Sequence, residues 1–199
     1  MSGEDGWPRR RLGPLRDLHV ADLLERTARA IDSGADVTPE PLARGPSGRL
    51  LRTTRLRLPF RRDMAVRTGA RVLHPRVDTM LDPTADPRPN AMCAGPFTLE
   101  VTPFQWQAAE LRLRVMAGGV NWAPMRHWFL EWVQPRQSDE SPDLLGAVHS
   151  MSDPDDIARG ARMRIDFGSA PIECVAELLE ALSRSGAVTA SLGPTPEAR

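Results

Sequence analysis

Apolar and polar side chains alternate strictly in three segments in the second half of the chain. Because neighbouring side chains of a strand point to opposite faces of its sheet, this alternation predicts strands over residues 97–102, 110–116 and 162–167. Shorter apolar runs predict two more strands at 144–150 and 188–192. The second half of the chain therefore has the pattern of a sheet with one buried face.

Two segments between these strands have helical spacing instead. Pro124 suits the first turn of a helix and Pro135 stops it, which predicts a helix over 124–134. A second helix is predicted over 169–184, with its inward face formed by Ile172, Val175, Leu178, Leu179 and Leu182. From residue 110 onward the order is strand, helix, strand, strand, helix, strand, which is the order of a ferredoxin-like fold.

The first half of the chain is less regular. Apolar residues predict a helix over 15–33 with His19 on its exposed side, and alternation predicts a strand pair at 49–58 and 64–73. Residues 74–96 contain five prolines and no periodicity, which predicts a long irregular connection. The predicted fold class is α+β: a ferredoxin-like β-α-β-β-α-β sandwich in the C-terminal part, preceded by a basic, Pro-rich extension with one helix and a strand pair.

These patterns divide the chain into four parts. Residues 1–14 are expected to form a disordered tail, and residues 194–199 a second one. Residues 15–96, called the arm below, are expected to form a helix followed by a basic irregular or β segment. Residues 97–193 are expected to form the α+β sandwich domain, called the sandwich below.

Composition narrows the class of protein. No apolar run of the 199 residues approaches 18, so no membrane span is expected. All 26 basic residues are arginine, which is typical of a GC-rich bacterial genome and excludes chemistry that needs a lysine. Cys93 and Cys174 are far apart in the chain, which favours a reducing, cytoplasmic location, and Cys174 is expected to be a small buried hydrophobic residue.

Charge is divided unevenly along the chain. Residues 1–96 carry a net charge of +5 and residues 127–199 a net charge of −6. Residues 44–76 contain ten arginines and a single acid, Asp63. Such a segment can follow a phosphate backbone, so nucleic-acid binding is one hypothesis. Its candidate residues are Arg49, Arg52, Arg55, Arg57, Arg61 and Arg62. The alternative is that these arginines pair with the acidic half or with a partner protein.

Four of the five tryptophans lie between residues 106 and 132. One interpretation is a core helix that packs against the sheet. The other is a protein-binding surface, because Trp and Arg are enriched at the energetic centres of interfaces. The candidate protein-binding residues are Trp122, Arg126, Trp128 and Trp132.

Catalytic motifs are absent from the sequence. The four histidines do not have the spacing of a helical metal pair, and there is no Cys-x-x-Cys, nucleophile elbow, phosphate loop or dinucleotide fingerprint. The sequence therefore predicts no catalytic, cofactor-binding or metal-binding residue and no cofactor. An enzyme that uses His127 or His149 together with an aspartate remains as a third hypothesis.

The sequence therefore favours a non-catalytic interaction module, an accessory subunit or assembly factor of a cytoplasmic complex. An Arg-mediated nucleic-acid-binding protein is the alternative, and a small enzyme the third. The expected partner is another protein subunit, with nucleic acid or a second copy of the chain left open, and no membrane partner is expected.

Overall fold

A computed structural model describes residues 7–79, 90–94, 97–116, 119–134 and 144–195. This part of the chain is mixed α+β, with three α-helices and two sheets. No helix in it is long and apolar enough to cross a membrane. The predicted tails lie partly outside the described residues, at 1–6 and 196–199.

The elements have the following bounds. The helices are α1 (Trp7–Asp32), α2 (Ala123–Trp132) and α3 (Glu173–Arg184). The first five strands are β1 (Asp36–Pro39), β2 (Met64–Thr68), β3 (Arg71–Leu73), β4 (Asn90–Ala94) and β5 (Phe97–Val101). The other five are β6 (Ala109–Val115), β7 (Ser150–Met151), β8 (Asp155–Ile157), β9 (Gly160–Asp166) and β10 (Ala187–Pro194).

The larger sheet has the order β4-β5-β10-β6-β9-β7, with β8 paired to β9. β10 runs parallel to β5, and its pairing with β6 and the pairing of β6 with β9 are antiparallel. Leu111, Leu113, Met163 and Ile165 face the core, as the alternation predicted. Their neighbours Arg112 and Arg162 lie opposite each other on the solvent face.

Helices α2 and α3 contact each other and contribute to the hydrophobic core. Met125, Trp128, Phe129 and Trp132 form the buried face of α2, which has a proline in its first turn as predicted. The buried face of α3 includes Cys174, so the expectation that this thiol is buried is confirmed. Both helices begin and end within four residues of their predicted bounds.

Helix α1 begins at Trp7, inside the segment expected to be disordered, and eight residues before its predicted start. Trp7 and Leu12 pack against the core of the sandwich, which explains the earlier start. The placement of His19 on the exposed side was wrong, because its side chain has no exposed surface. Ile31, near the C-terminal end of α1, is 55% exposed.

The small sheet of the arm has the order β1-β2-β3. Residues 64–73, predicted as one strand, form the β2–β3 hairpin that turns at Gly69 with φ +60°. The strand predicted at 49–58 is not formed, and only isolated bridges join this region to its neighbours. Arg57 has φ +58°, a left-handed conformation that interrupts an extended chain.

Two other predicted segments differ from the structure. The strand expected at 144–150 is reduced to the pairing of Ser150 and Met151, and Gly146 has a left-handed φ of +66°. Within the connection expected to be irregular, residues 90–94 form β4, which pairs with β5. Residues 80–89 and 95–96 of that connection lie outside the described residues.

Candidate functional site

Main-chain hydrogen bonds join the arm to the edge of the sandwich. The N–H of Arg61 donates to the carbonyl of His149 at 2.8 Å, and the N–H of Glu40 donates to the carbonyl of Asp63 at 2.9 Å. Within the sandwich, the N–H of His149 donates to the carbonyl of Asp166 at 2.9 Å. These bonds bring four segments, distant in sequence, to one place.

The imidazole of His149 lies among three carboxylates. Its Nε2 is 2.7 Å from Oε1 of Glu40, and its Nδ1 is 3.0 Å from Oδ1 of Asp63. The Oδ1 of Asp166 lies 3.9 Å from the same Nδ1. The side chains of His149 and Glu40 have no exposed surface. Because a carboxylate only accepts, both ring nitrogens donate, and His149 is an imidazolium in this arrangement.

Each carboxylate is held by further donors. Glu40 accepts the hydroxyl hydrogen bond of Ser169 and the main-chain N–H of Leu145, each at 2.5 Å. Oδ2 of Asp63 accepts the N–H of Val77 at 2.5 Å. These bonds fix both side chains against the imidazole. They also satisfy acceptors that would be costly if buried without partners.

The backbone at this place is unusual at two positions. Glu40 has φ +46°, a left-handed conformation that a non-glycine residue rarely adopts. Gly168 has φ +53°, and a Cβ at this position would lie 2.3 Å from Cδ2 of His149. Any side chain at 168 would therefore displace the imidazole. Such strained positions concentrate at functional sites.

Mutual interactions shift the pKa values of the cluster. Burial alone lowers the pKa of His149, but the carboxylates of Asp166, Asp63 and Glu40 outweigh it and raise the pKa to about 10. Burial alone raises the pKa of Glu40 and of Asp63, but their hydrogen bonds to His149 bring both below the usual value. Burial and the neighbouring Asp63 raise the pKa of Asp166 to about 6.

A cavity of about 660 Å³ adjoins this cluster. Asp63 and Asp166 line it, and the side chain of Asp166 keeps 18% of its surface exposed. Gln107 also lines it, with 2% exposure, and donates from Nε2 to the carbonyl of Thr79 at 3.0 Å. Its Oε1 accepts no hydrogen bond from the described residues. Such an acceptor can take a hydrogen bond from a water or from a ligand in the cavity.

Three of these groups have the arrangement of metal ligands. One ligand atom each from Asp63, His149 and Asp166 lies within 4.8 Å of the others. Glu40 holds the opposite ring nitrogen of His149, as carboxylates do for metal-binding histidines. A cation at Nδ1 would occupy the position now taken by a proton.

The four candidate protein-binding residues do not form one exposed surface. Trp128 and Trp132 are 2% and 3% exposed, and their indole N–H groups donate to the carbonyl of Cys174 and to the carboxylate of Glu177. Both side chains are therefore core residues, because they are buried and their indole N–H groups have partners inside the protein. Trp122 is half-buried and Arg126 is exposed.

The six candidate arginines fall into a buried and an exposed group. Arg61 is buried, and its guanidinium donates to the carbonyls of Glu40 and Val133, so it stabilises the protein's own fold. The other five are exposed: Arg49, Arg52, Arg55, Arg57 and Arg62. Of these, Arg55 forms an exposed ion pair with Asp156 at 3.0 Å.

The two candidate histidines have different environments. His127 lies exposed on α2, with its Nε2 3.5 Å from Glu131. His149 is at the centre of the cluster, which the sequence considered only in its third hypothesis, an enzyme that uses His127 or His149 with an aspartate. One signal was present, because Asp63 is the only acid in the basic segment 44–76. No sequence signal connects Glu40 with Asp166, because 125 other residues separate them in the chain.

Comparisons with known proteins add no relative. No protein-family model matches the chain, no curated protein is significantly similar to it in sequence, and no solved structure is significantly similar to its fold. Its function is therefore inferred from the site alone.

Proposed function

We propose that this chain is a metal-dependent hydrolase in which Asp63, His149 and Asp166 bind one divalent cation beside the cavity. The observation that carries the proposal is the convergence of these three donor atoms within 4.8 Å, with Glu40 holding the remote nitrogen of the histidine. The unsatisfied Oε1 of Gln107 in the same cavity supports it.

The ligand set favours a particular class of cation. Two carboxylates and one imidazole suit Mn²⁺, Fe²⁺ or Zn²⁺, whereas soft ions such as Cu⁺ prefer thiolates and thioethers. Three protein ligands leave coordination positions open for water. Because Asp63 and Asp166 line the cavity, those positions are expected to face it. A divalent cation lowers the pKa of a bound water, which supplies the nucleophile of a hydrolase.

Charge balance also supports a cation. Three carboxylates surround one imidazolium, and the guanidinium of Arg61 donates to the main-chain oxygens of Glu40 and Val133. A cation held by Nδ1 of His149 would replace the proton there, and the Nε2–H would keep its hydrogen bond to Glu40. The incoming ion then compensates the carboxylates more fully than the proton does.

The test is a titration of EDTA-treated protein with Mn²⁺ followed by electron paramagnetic resonance. The wild-type protein is expected to bind one equivalent. Asp166→Asn is the decisive variant, because asparagine keeps an oxygen to accept the Gly168 N–H and the position is partly exposed. It should lower the affinity by about tenfold or more without changing the circular dichroism.

The matched control is Asp36→Asn. Asp36 is 76% exposed and pairs with Arg67 at 3.7 Å, away from the cluster. Its affinity for Mn²⁺ should equal that of the wild-type protein. Absence of stoichiometric binding to the wild type, or equal binding by the Asp166 variant, would contradict the proposal.

The interaction module stays a second proposal. It is supported by the accessible Trp122 and Arg126, which lie at the start of α2. A pull-down with and without nuclease separates it from the nucleic-acid alternative, which the five exposed arginines support. A partner that survives nuclease and is lost in Trp122→Ala supports the module, whereas recovery of nucleic acid supports the alternative.

We also propose that the sandwich belongs to the ferredoxin-like class. The antiparallel order β10-β6-β9-β7, with α2 between β6 and β7 and α3 between β9 and β10, supports this assignment. The assignment concerns architecture and does not bear on the activity, because such sandwiches host many unrelated functions.

A further inference from the structure

The cavity beside the candidate metal centre has cationic groups on its other walls. Arg62, Arg76 and Arg164 line it together with the two aspartates. If a cation binds the two aspartates, as the proposed function requires, the remaining charged side chains of the lining are arginines. A substrate in this cavity therefore meets positive charge from the cation and from the protein.

Strand alternation explains why Arg164 belongs to the site. Arg164 and Asp166 lie two residues apart on β9, so they share its solvent face, about 7 Å apart along the strand. Glu110 lies opposite Arg164 on β6 but pairs with Arg112, so Arg164 forms no ion pair with a described carboxylate. The position is thus fixed by the same strand that supplies a proposed metal ligand.

Arg62 reaches the cavity from the arm. Its guanidinium lies 5.3 Å from the centre of the Phe60 ring, which supports the side chain without neutralising its charge. Its main-chain N–H donates to the carbonyl of Pro41 at 3.0 Å, which fixes the segment. Arg76, by contrast, already pairs with Asp78 at 3.1 Å. Arg62 and Arg164 therefore line the cavity without a carboxylate partner among the described residues, and Arg76 adds its charge beside Asp166.

We propose that the substrate is a phosphate monoester whose phosphoryl group binds between the metal cation and the guanidinium groups of Arg62 and Arg164. This inference rests on the proposed function and names its substrate class. A phosphoryl group carries two charges on three terminal oxygens, so it can contact a cation and two guanidinium groups at once. A carboxylate has only two oxygens and one charge.

The reaction balances without an oxidant or reductant. Asp63, His149 and Asp166 would hold the cation, which would lower the pKa of a water so that it loses a proton. The resulting hydroxide would attack phosphorus, forming one P–O bond while the P–O bond to the ester oxygen breaks. The leaving alkoxide would take the proton that the water released and depart as an alcohol, and the other product would be inorganic phosphate. One water is consumed for each ester. Arg62 and Arg164 stabilise the charge on the terminal oxygens during the transfer.

The test measures phosphate and Mn²⁺ separately. Binding of inorganic phosphate, the reaction product, is measured by calorimetry on Mn²⁺-loaded protein, and Mn²⁺ affinity by paramagnetic resonance. Arg164→Gln and Arg62→Gln should each weaken phosphate binding by about tenfold or more, because each removes a charge-assisted hydrogen bond. Their Mn²⁺ affinity should match the wild type.

The matched control is Arg114→Gln. Arg114 is exposed on β6, on the solvent face of the same sheet, but does not line the cavity. It should leave both affinities unchanged. Loss of phosphate binding to the same extent in all three variants would show a general charge effect and overturn the inference.

The remaining outcomes separate the two proposals. Mn²⁺ binding without phosphate binding, or acetate binding as tightly as phosphate, overturns the phosphate ester and leaves the metal centre. Arg-dependent phosphate binding by a protein that binds no Mn²⁺ overturns the metal centre and supports the phosphate site. Hydrolysis of p-nitrophenyl phosphate that needs Mn²⁺ and falls in both cavity arginine variants supports both.

Discussion

The sandwich and the arm are stabilised by different kinds of contact. In the sandwich, alternating apolar residues of β5, β6, β9 and β10 and the apolar faces of α2 and α3 bury one continuous core. In the arm, a much smaller core surrounds Leu23 and Met64, and two non-glycine residues, Glu40 and Arg57, have left-handed φ values. The described part of the sandwich has one, Arg159, in the turn between β8 and β9. The regular region supplies a rigid frame, whereas the irregular region brings polar groups to its edge.

Leu56 and Leu58 of the arm belong to the larger core, and among the polar contacts that also attach the arm to the sandwich two places differ in exposure. One is the buried cluster around His149. The other is Asp153, whose carboxylate accepts three successive main-chain N–H groups, from Thr54, Arg55 and Leu56, at 2.6 to 2.8 Å. The first place is shielded from water and the second is exposed, so their contributions to stability should differ.

The largest effect is expected in the sandwich core. Trp128→Ala removes a side chain that is 2% exposed and leaves a cavity, which should lower the free energy of unfolding by about 3–5 kcal/mol. The loss should be the same at every pH, because the indole does not titrate. Urea denaturation at several pH values measures it.

The control is Trp122→Ala, at a half-buried position just before α2. This substitution should lower the free energy of unfolding by about 1 kcal/mol or less. An equal, small loss in both variants would mean that Trp128 is not a core residue, and would restore the single exposed surface expected from the sequence.

The same contrast explains what the sequence could predict. Strands β5, β6 and β9 and helices α2 and α3 were located within a few residues, because one-sided burial imposes a period on apolar positions. In the arm, alternation at 55–58 correctly marks Leu56 and Leu58 as buried. It does not produce a strand, because Asp153 takes the N–H groups that a strand would pair.

The candidate metal centre could not be derived in this way. Its members come from the arm, from the irregular segment before β7 and from the end of β9, and no spacing in the sequence links them. The pairing of Arg61 with His149 places them together, and that pairing follows from tertiary structure alone. A lone acid among many arginines, Asp63, was the signal that sequence reasoning left unused.

The second prediction concerns His19, on the side of the arm that faces the cluster. Burial, with the nearby charge of His149, lowers its pKa to about 4, whereas in the unfolded chain it is near 6.5. Between these values the unfolded state binds the extra proton, so stability falls as pH falls from 6.5 to 4. The total loss from this group is at most about 3 kcal/mol.

His19→Gln should therefore remove the contribution of this group between pH 6.5 and 4, measured in EDTA as a difference from the wild type. The raised pKa of Asp166 acts in the opposite direction over this range, equally in both proteins. The loss at lower pH should persist, because the depressed pKa values of Glu40 and Asp63 make folding favour their ionised forms. Trp128→Ala provides the comparison, since its profile should run parallel to that of the wild type. A parallel profile for His19→Gln would mean that His19 is protonated in the folded protein.

The smallest effect is expected at the exposed attachment. Asp153→Ala removes an acceptor from three N–H groups, but water can reach them, so the loss should be about 1 kcal/mol or less. Hydrogen exchange of Thr54, Arg55 and Leu56 should accelerate, whereas Mn²⁺ affinity should stay at the wild-type value.

The Mn²⁺ affinity should not change because Glu40 and Asp63 are positioned by their own main-chain bonds and by the pairing of Arg61 with His149. A loss of Mn²⁺ binding in Asp153→Ala would show that the exposed attachment also positions the cluster, and the arm would then act as one unit rather than two.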